Sequence, residues 1–99
     1  MIKVSGKIKQ IFDTEIFGTF EKRVMWLEEI SDKFPNTYQF ELWQTDCPMA
    51  DNYKVGDYVT CYLDLKGKYW NRNDKEGVMN TLKCWNIEKD GKSFKEIKL

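Results

Sequence analysis

Apolar and polar residues alternate along most of the chain, and the dominant period is two. In the first segment Ile2, Val4, Gly6 and Ile8 fall on one side, with Lys3, Ser5, Lys7 and Lys9 on the other. That spacing predicts a strand with one buried face and one basic, solvated face. Gly6 inside it predicts a bulge or a sharp bend, as at a barrel corner. Asp13 to Thr19, with Gly18, reads as a loop. Phe20 to Ile30 reads as a second strand whose middle, Val24 to Leu27, is apolar on both sides. Two-sided apolarity predicts cover on the outer face by a partner or a loop.

Pro35 and Asn36 end the break at Ser31 to Asn36, and alternation resumes from Tyr38 to Gln44. Phe40 and Leu42 take one face there; Gln39, Glu41 and Trp43 take the other. Asp46 to Asn52 predicts one short helical turn, capped by Asp46, with Pro48 near its start. Lys54-Val55-Gly56-Asp57 is a tight turn. From Tyr58 to Leu65, Val59, Cys61, Leu63 and Leu65 form an inner stripe against Tyr58, Thr60, Tyr62 and Asp64. Gly67 to Gly77 reads as a polar loop carrying Lys68, Tyr69, Trp70 and Arg72. The last strand spans roughly Val78 to Glu88, with a phase shift between Leu82 and Trp85 that predicts a second bulge. Asp90-Gly91 reads as a turn, and the tail at 89–99 as an extra strand, a helix or a flexible end.

Five strands with internal glycines and one short helix between the third and fourth predict an all-β fold. The architecture is a small closed Greek-key barrel of the OB-fold kind. An SH3-like barrel is the rival, and the inserted helix favours the OB order. The chain has 99 residues, which we read as a single domain, 1–99. Such a domain buries about 65% of the surface its unfolded chain exposes.

Composition narrows the function. There is no histidine, so Ser-His-Asp and Cys-His catalysis and His-ligated metal sites are excluded. Cys47, Cys61 and Cys84 are odd in number and form no CxxC pair. They read as small buried apolar residues in a reducing compartment rather than as a disulfide framework or zinc site. The acids Glu28, Glu29 and Asp32 alternate faces in a strand, and Asp46, Asp51 and Asp57 lack the pattern of a calcium loop. We therefore expect no catalytic residue, no metal and no cofactor. No apolar run suggests a signal peptide or a membrane span, which predicts a cytoplasmic protein.

Sixteen basic and sixteen acidic residues give a net charge of zero, but they are unevenly spread. Residues 1–12 hold three lysines and no acid; residues 13–64 hold four bases and eleven acids; residues 65–99 hold nine bases and five acids. A barrel could bring the two basic segments onto one surface, or the charges could form an ordinary solvated shell. Aromatic residues make up 15% of the chain, more than a small core encloses. Proteins that hold single strands stack bases on exposed rings and track phosphates with Lys and Arg. Candidate stacking rings are Trp43, Tyr62, Tyr69 and Trp70. Candidate phosphate contacts are Lys7, Lys9, Lys66, Lys68, Arg72 and Lys83. For the loop rings the competing role is a cap over the barrel end; for Trp43 it is a plug or a dimer contact. Trp26 and Trp85 read as core or interface, and Phe12, Phe20, Phe34 and Phe40 as core.

The order Val4-Ser-Gly-Lys-Ile8, Tyr38-Gln-Phe-Glu-Leu-Trp43, Tyr53-Lys-Val-Gly-Asp57, Val59-Thr-Cys-Tyr-Leu-Asp64 and Leu82-Lys-Cys-Trp-Asn-Ile-Glu88 resembles a known family. It is a family of small bacterial and phage proteins, long of unknown function, that look like single-stranded DNA-binding OB-folds. The likeness covers about residues 2 to 88. It implies an OB barrel that binds single-stranded DNA, or RNA, with little sequence preference, in replication, recombination or repair. The chain departs from that pattern in its long Gly67 to Gly77 segment. It also ends in Lys95-Glu-Ile-Lys-Leu99 rather than in the acidic tail of bacterial single-strand-binding proteins. The alternative reading is an interaction barrel, a homodimer or an accessory subunit of replication or recombination proteins, closed through Val24 to Leu27.

Overall fold

The computed structural model describes residues 2–30 and 33–89. The turn at Asp90-Gly91 and the tail beyond it lie outside the described residues. The strands are β1 (Ile2–Ile11), β2 (Glu15–Phe17), β3 (Phe20–Glu29), β4 (Thr37–Trp43), β5 (Tyr58–Arg72) and β6 (Lys75–Lys89). A short 3-10 helix, Gln44–Asn52, joins β4 to β5.

Five of the strands form a ring. The first half of β1 pairs antiparallel with β5, from Ile2↔Leu63 to Lys7↔Tyr58. Its second half pairs with β3, from Gly6↔Glu29 to Ile11↔Met25. β3 pairs with β4 and β5 with β6, all antiparallel, and one parallel link at Glu41↔Lys83 closes the circuit. This is the five-stranded Greek-key barrel with its helix where the sequence placed it. β2 is an addition. It hairpins onto β3 through Phe17↔Phe20, inside the segment read as a loop.

Gly6 is where β1 changes neighbours, since it pairs with both Glu29 and Val59. A Cβ there would stand 2.2 Å from the Glu28 carbonyl oxygen. The backbones approach too closely for any side chain, which is the corner the glycine predicts. A bulge at Lys9 follows, where the β1–β3 register skips a residue.

The inward stripes fill the ring: Ile8, Met25, Leu27, Phe40, Leu42, Val59, Cys61, Leu63, Cys84 and Ile87 are all buried. Cys47 and Ala50 of the helix plug one end. Trp43 occupies the N-cap position of that helix, and no side chain caps it, so Asp46 does not act as predicted. Arg23 ties the helix down instead. Its Nη1 donates to the Cys47 carbonyl at 3.2 Å and to Asp51 Oδ1 at 2.9 Å, and its Nε donates to the Phe12 carbonyl at 2.7 Å. All three cysteines are free and buried. Burial pushes the Cys47 thiol up, and a hydrogen bond to Cys84, then burial, does the same for Cys61.

Three further sequence expectations fail here. Of the four phenylalanines assigned to the core only Phe40 is buried; Phe34 is 86% exposed, Phe12 is exposed and Phe20 is half-buried on the outside. Leu65, at the end of its predicted inner stripe, is 64% exposed because β5 has by then left the barrel. Finally, Gly67 to Gly77 is no loop. β5 and β6 stay paired to Arg72↔Lys75 and turn through Asn73 and Asp74, at φ 51° and 65°. Positive φ at both central residues is the two-residue turn whose twist suits a hairpin, and Asn and Asp tolerate it. The hairpin forms an arm, and the molecule extends 56 × 28 × 21 Å. The predicted bulge in the last strand is present: the register skips Trp85 and turns it outward.

Candidate nucleic-acid interface

Side chains alternate along the arm as along any strand, but there both faces are wet. One face carries Lys66, Lys68, Trp70 and Arg72 on β5, opposite Thr81, Met79, Gly77 and Lys75 on β6. It continues the outer surface of the barrel. The other face carries Leu65, Tyr69 and Asn71 opposite Leu82, Val78 and Glu76. Tyr69 belongs to this second face. Its hydroxyl donates to Glu76 at 2.9 Å and accepts from Asn71 at 3.2 Å, so the sheet separates it from Trp70.

Trp70 lies over Gly77, its direct partner. A Cβ at Gly77 would meet the indole Cζ2 at 2.6 Å. The missing side chain lets the ring rest on the opposite strand. Gly77→Ala should lift the ring, which can move because it is at the surface. We expect an altered near-ultraviolet circular dichroism signal and a thermal midpoint within about 3 °C of the original.

Facing the base of the arm is the outer side of β3 and β4. Phe20 and Trp43 meet edge to face at 5.5 Å, and Lys83 Nζ sits 5.6 Å from the centre of the Trp43 ring. Trp43 Nε1 donates to Glu41 at 2.7 Å, which orients the indole, and Lys22 lies 3.9 Å from the same carboxylate. Between this wall and Lys66, Lys68 and Met79 is a cleft of about 590 Å³. A second cleft, about 560 Å³, runs outward past Trp70, Arg72 and Lys75 and shares Lys68 and Met79 with the first. A third, about 200 Å³, shares Glu41 and Thr81. A fourth, about 460 Å³, shares Gln39 with the third and ends at Phe12 and Trp26. Together the four make one furrow from the arm tip to the β1–β2 connection, turning at the third past the edge of the arm, where Leu65, Asn80 and Leu82 of the arm's other face also line it. It is basic at the arm and acidic at the far end, where Asp13 and Glu15 stand.

Of the residues singled out in the sequence, the fold brings together Trp43, Lys66, Lys68, Trp70, Arg72 and Lys83. Tyr62 shares the outer face of β5 but lies further along the barrel, 5.5 Å from Trp85 and 5.7 Å from Lys3 Nζ. Its hydroxyl donates to Glu88, and that bond pushes the phenol above its ordinary pKa. Lys7 stands on β1 between Glu28 and Tyr58. Lys9 pairs with Glu28 at 3.4 Å. Neither lines the furrow, so the two basic segments do not converge there.

Sequence reasoning missed Phe12, Phe20, Lys22, Trp26, Gln39, Lys75 and Met79. The signal was parity: Phe20, Lys22, Val24 and Trp26 alternate with Met25 and Leu27, which are buried. The cover predicted over Val24 to Leu27 comes from the chain itself. Phe12 packs edge to face on Trp26 at 5.0 Å.

The closed ring, the helix between β4 and β5 and the long β5–β6 arm define an OB-fold. The fold is similar to that of the mitochondrial single-stranded DNA binding protein Rim1 of S. cerevisiae. Its Form2 crystal structure superposes with a TM-score of 0.68 at 15% identity, covering 89% of this chain and 91% of that one. A selenomethionine-labelled Form2 crystal gives 0.66 at 17% identity, covering 91% and 95%. By sequence the chain belongs to the family described as Domain of unknown function (DUF3127), whose model matches residues 3–88. No protein of curated function matches it. Among the described residues no helix is long and apolar enough to cross a membrane.

Proposed function

We propose that this protein binds single-stranded nucleic acid, DNA before RNA, along the furrow, with little sequence preference. The observation that supports it best is the pair of adjoining clefts at the arm, where one exposed ring, Trp70, and two half-buried ones, Trp43 and Phe20, stand beside cations. Trp70, Trp43 and Phe20 offer stacking faces, and Lys66, Lys68, Arg72 and Lys75 stand beside them for phosphates. Each base stack contributes about 1–3 kcal/mol and needs no particular base. The likeness to Rim1 supports the same reading. The role is binding rather than catalysis, in replication, recombination or repair, in the cytoplasm of a bacterial cell or a phage-infected host.

Titration with oligo-dT tests it. Tryptophan emission is expected to be quenched in low salt. Log affinity is expected to fall with log salt at a slope of about −0.7 per phosphate held, or about −3 for four. No quenching at high micromolar oligo-dT in low salt would sink the proposal.

A second reading has its own observation. On the other face of the arm Leu65, Tyr69 and Val78 are 64%, 58% and 65% exposed. A two-stranded ribbon is marginal by itself. A second copy, or a replication partner, seated on this face would shield it, and a homodimer is compatible with binding in the furrow. Light scattering at micromolar concentration separates monomer from dimer.

A further inference from the structure

At the end of the furrow away from the arm, we infer a subsite for the Watson–Crick edge of a guanine base. The inference rests on the single-strand reading above and adds one selective position to an otherwise tolerant track. The cleft there, about 460 Å³, is lined by Phe12, Asp13, Glu15, Val24, Trp26 and Gln39.

Its chemistry differs from the rest of the furrow. Phe12 and Trp26 form an aromatic corner, with centroids 5.0 Å apart and planes at 69°. The corner is held from behind by the Arg23 Nε hydrogen bond to the Phe12 carbonyl. The Trp26 indole nitrogen can only donate a hydrogen bond. The Gln39 atom it meets at 2.9 Å is therefore the carbonyl oxygen, and the carboxamide is fixed in orientation. Its Nε2 amine has no hydrogen-bond partner among the described residues and remains available to a ligand. Asp13 and Glu15 supply acceptors and negative charge, and no Lys or Arg lines this cleft.

Phosphate is repelled by such a site. The ligand it fits is a flat ring that stacks in the corner and presents one acceptor beside adjacent donors. Guanine does so: O6 accepts from the Gln39 amine, while N1–H and the N2 amine donate to a carboxylate. Thymine presents a single donor between two carbonyls, and one of those would face the carboxylates. Adenine and cytosine each offer one donating group on that edge, so they satisfy the carboxylates less fully.

The experiment walks one dG through an oligo-dT of about 12 nucleotides, a length within the range one OB barrel covers. Affinity is read by tryptophan quenching at fixed salt. At one position dG is expected to bind about tenfold more tightly than dT, in line with other bidentate base contacts. Deoxyinosine, which lacks the N2 amine, should lose most of that gain. In Gln39→Leu, and separately in Asp13→Asn combined with Glu15→Gln, the dG-to-dT ratio should fall to about one. Equal affinity for dG and dT at every position overturns the subsite while leaving the oligo-dT result standing. So does a gain that persists in both variants. Failure of the unsubstituted oligo-dT to bind overturns the single-strand reading and the subsite with it.

Discussion

Replacing Trp70 and Arg72 together with alanine is expected to weaken oligo-dT binding by about thirtyfold or more. Trp70 is the exposed ring nearest the arm tip, and its place over Gly77 keeps one face of the indole open. Losing one stack accounts for about 1–3 kcal/mol. Arg72, in the same cleft, would add a charge-assisted phosphate contact beside it under the proposed binding mode. The salt slope should become shallower by about 0.7 for that contact. Both residues are exposed on a hairpin that contributes little to the core, so the thermal midpoint should hardly move. Tyr69→Ala is the matched control. It removes a ring one residue away on the opposite face, and affinity should stay within about twofold. A Tyr69 effect as large as that of the pair would mean that the nucleic acid runs along the wrong face of the arm for this proposal.

Gly6→Ala is expected to destabilise the fold by about 3 kcal/mol or more, or to prevent folding. The added Cβ meets only backbone: the Glu28 oxygen at 2.2 Å, its carbon at 2.8 Å and Glu29 Cα at 2.9 Å. No flexible side chain can swing aside, so β1 or β3 must shift. At this residue β1 is bonded to both neighbours, and a shift opens the ring. For a domain of this size, 3 kcal/mol corresponds to roughly 12 °C or more in the thermal midpoint. Ser5→Ala, one residue earlier, loses the 2.7 Å hydrogen bond to Thr60 and should cost only about 1 kcal/mol. Urea unfolding of both variants checks the contrast.

The barrel was legible because its strands each have one dry face. Ile8, Phe40, Leu42, Val59, Cys61 and Leu63 mark that face by parity, and the structure buries all of them. The arm was not legible for the same reason reversed. Beyond Leu63 both sides of the hairpin meet water, so the apolar alternation fades and a polar loop is the natural reading. The remaining signal was Asn73-Asp74, a turn pair between two stretches of equal length. The site was half legible. Lys66, Lys68, Trp70 and Arg72 declare themselves by composition. Phe12 and Phe20 do not, because a large apolar ring is assigned to the core by default, and only its phase relative to Met25 and Leu27 tells otherwise.

The shared position of β1 also bears on how the chain reaches its native state. Ile2 pairs with Leu63, and the link that completes the circuit, Glu41↔Lys83, needs the final strand. Contacts so remote in sequence exact their loop-closure entropy before they return any stabilisation. During synthesis the amino-terminal strand emerges first, yet half of its hydrogen-bonding edge has no partner until β5 is made. The last strand must follow before the circuit is complete. For that interval the nascent chain presents an open strand edge, and the barrel forms only after β6 has been translated.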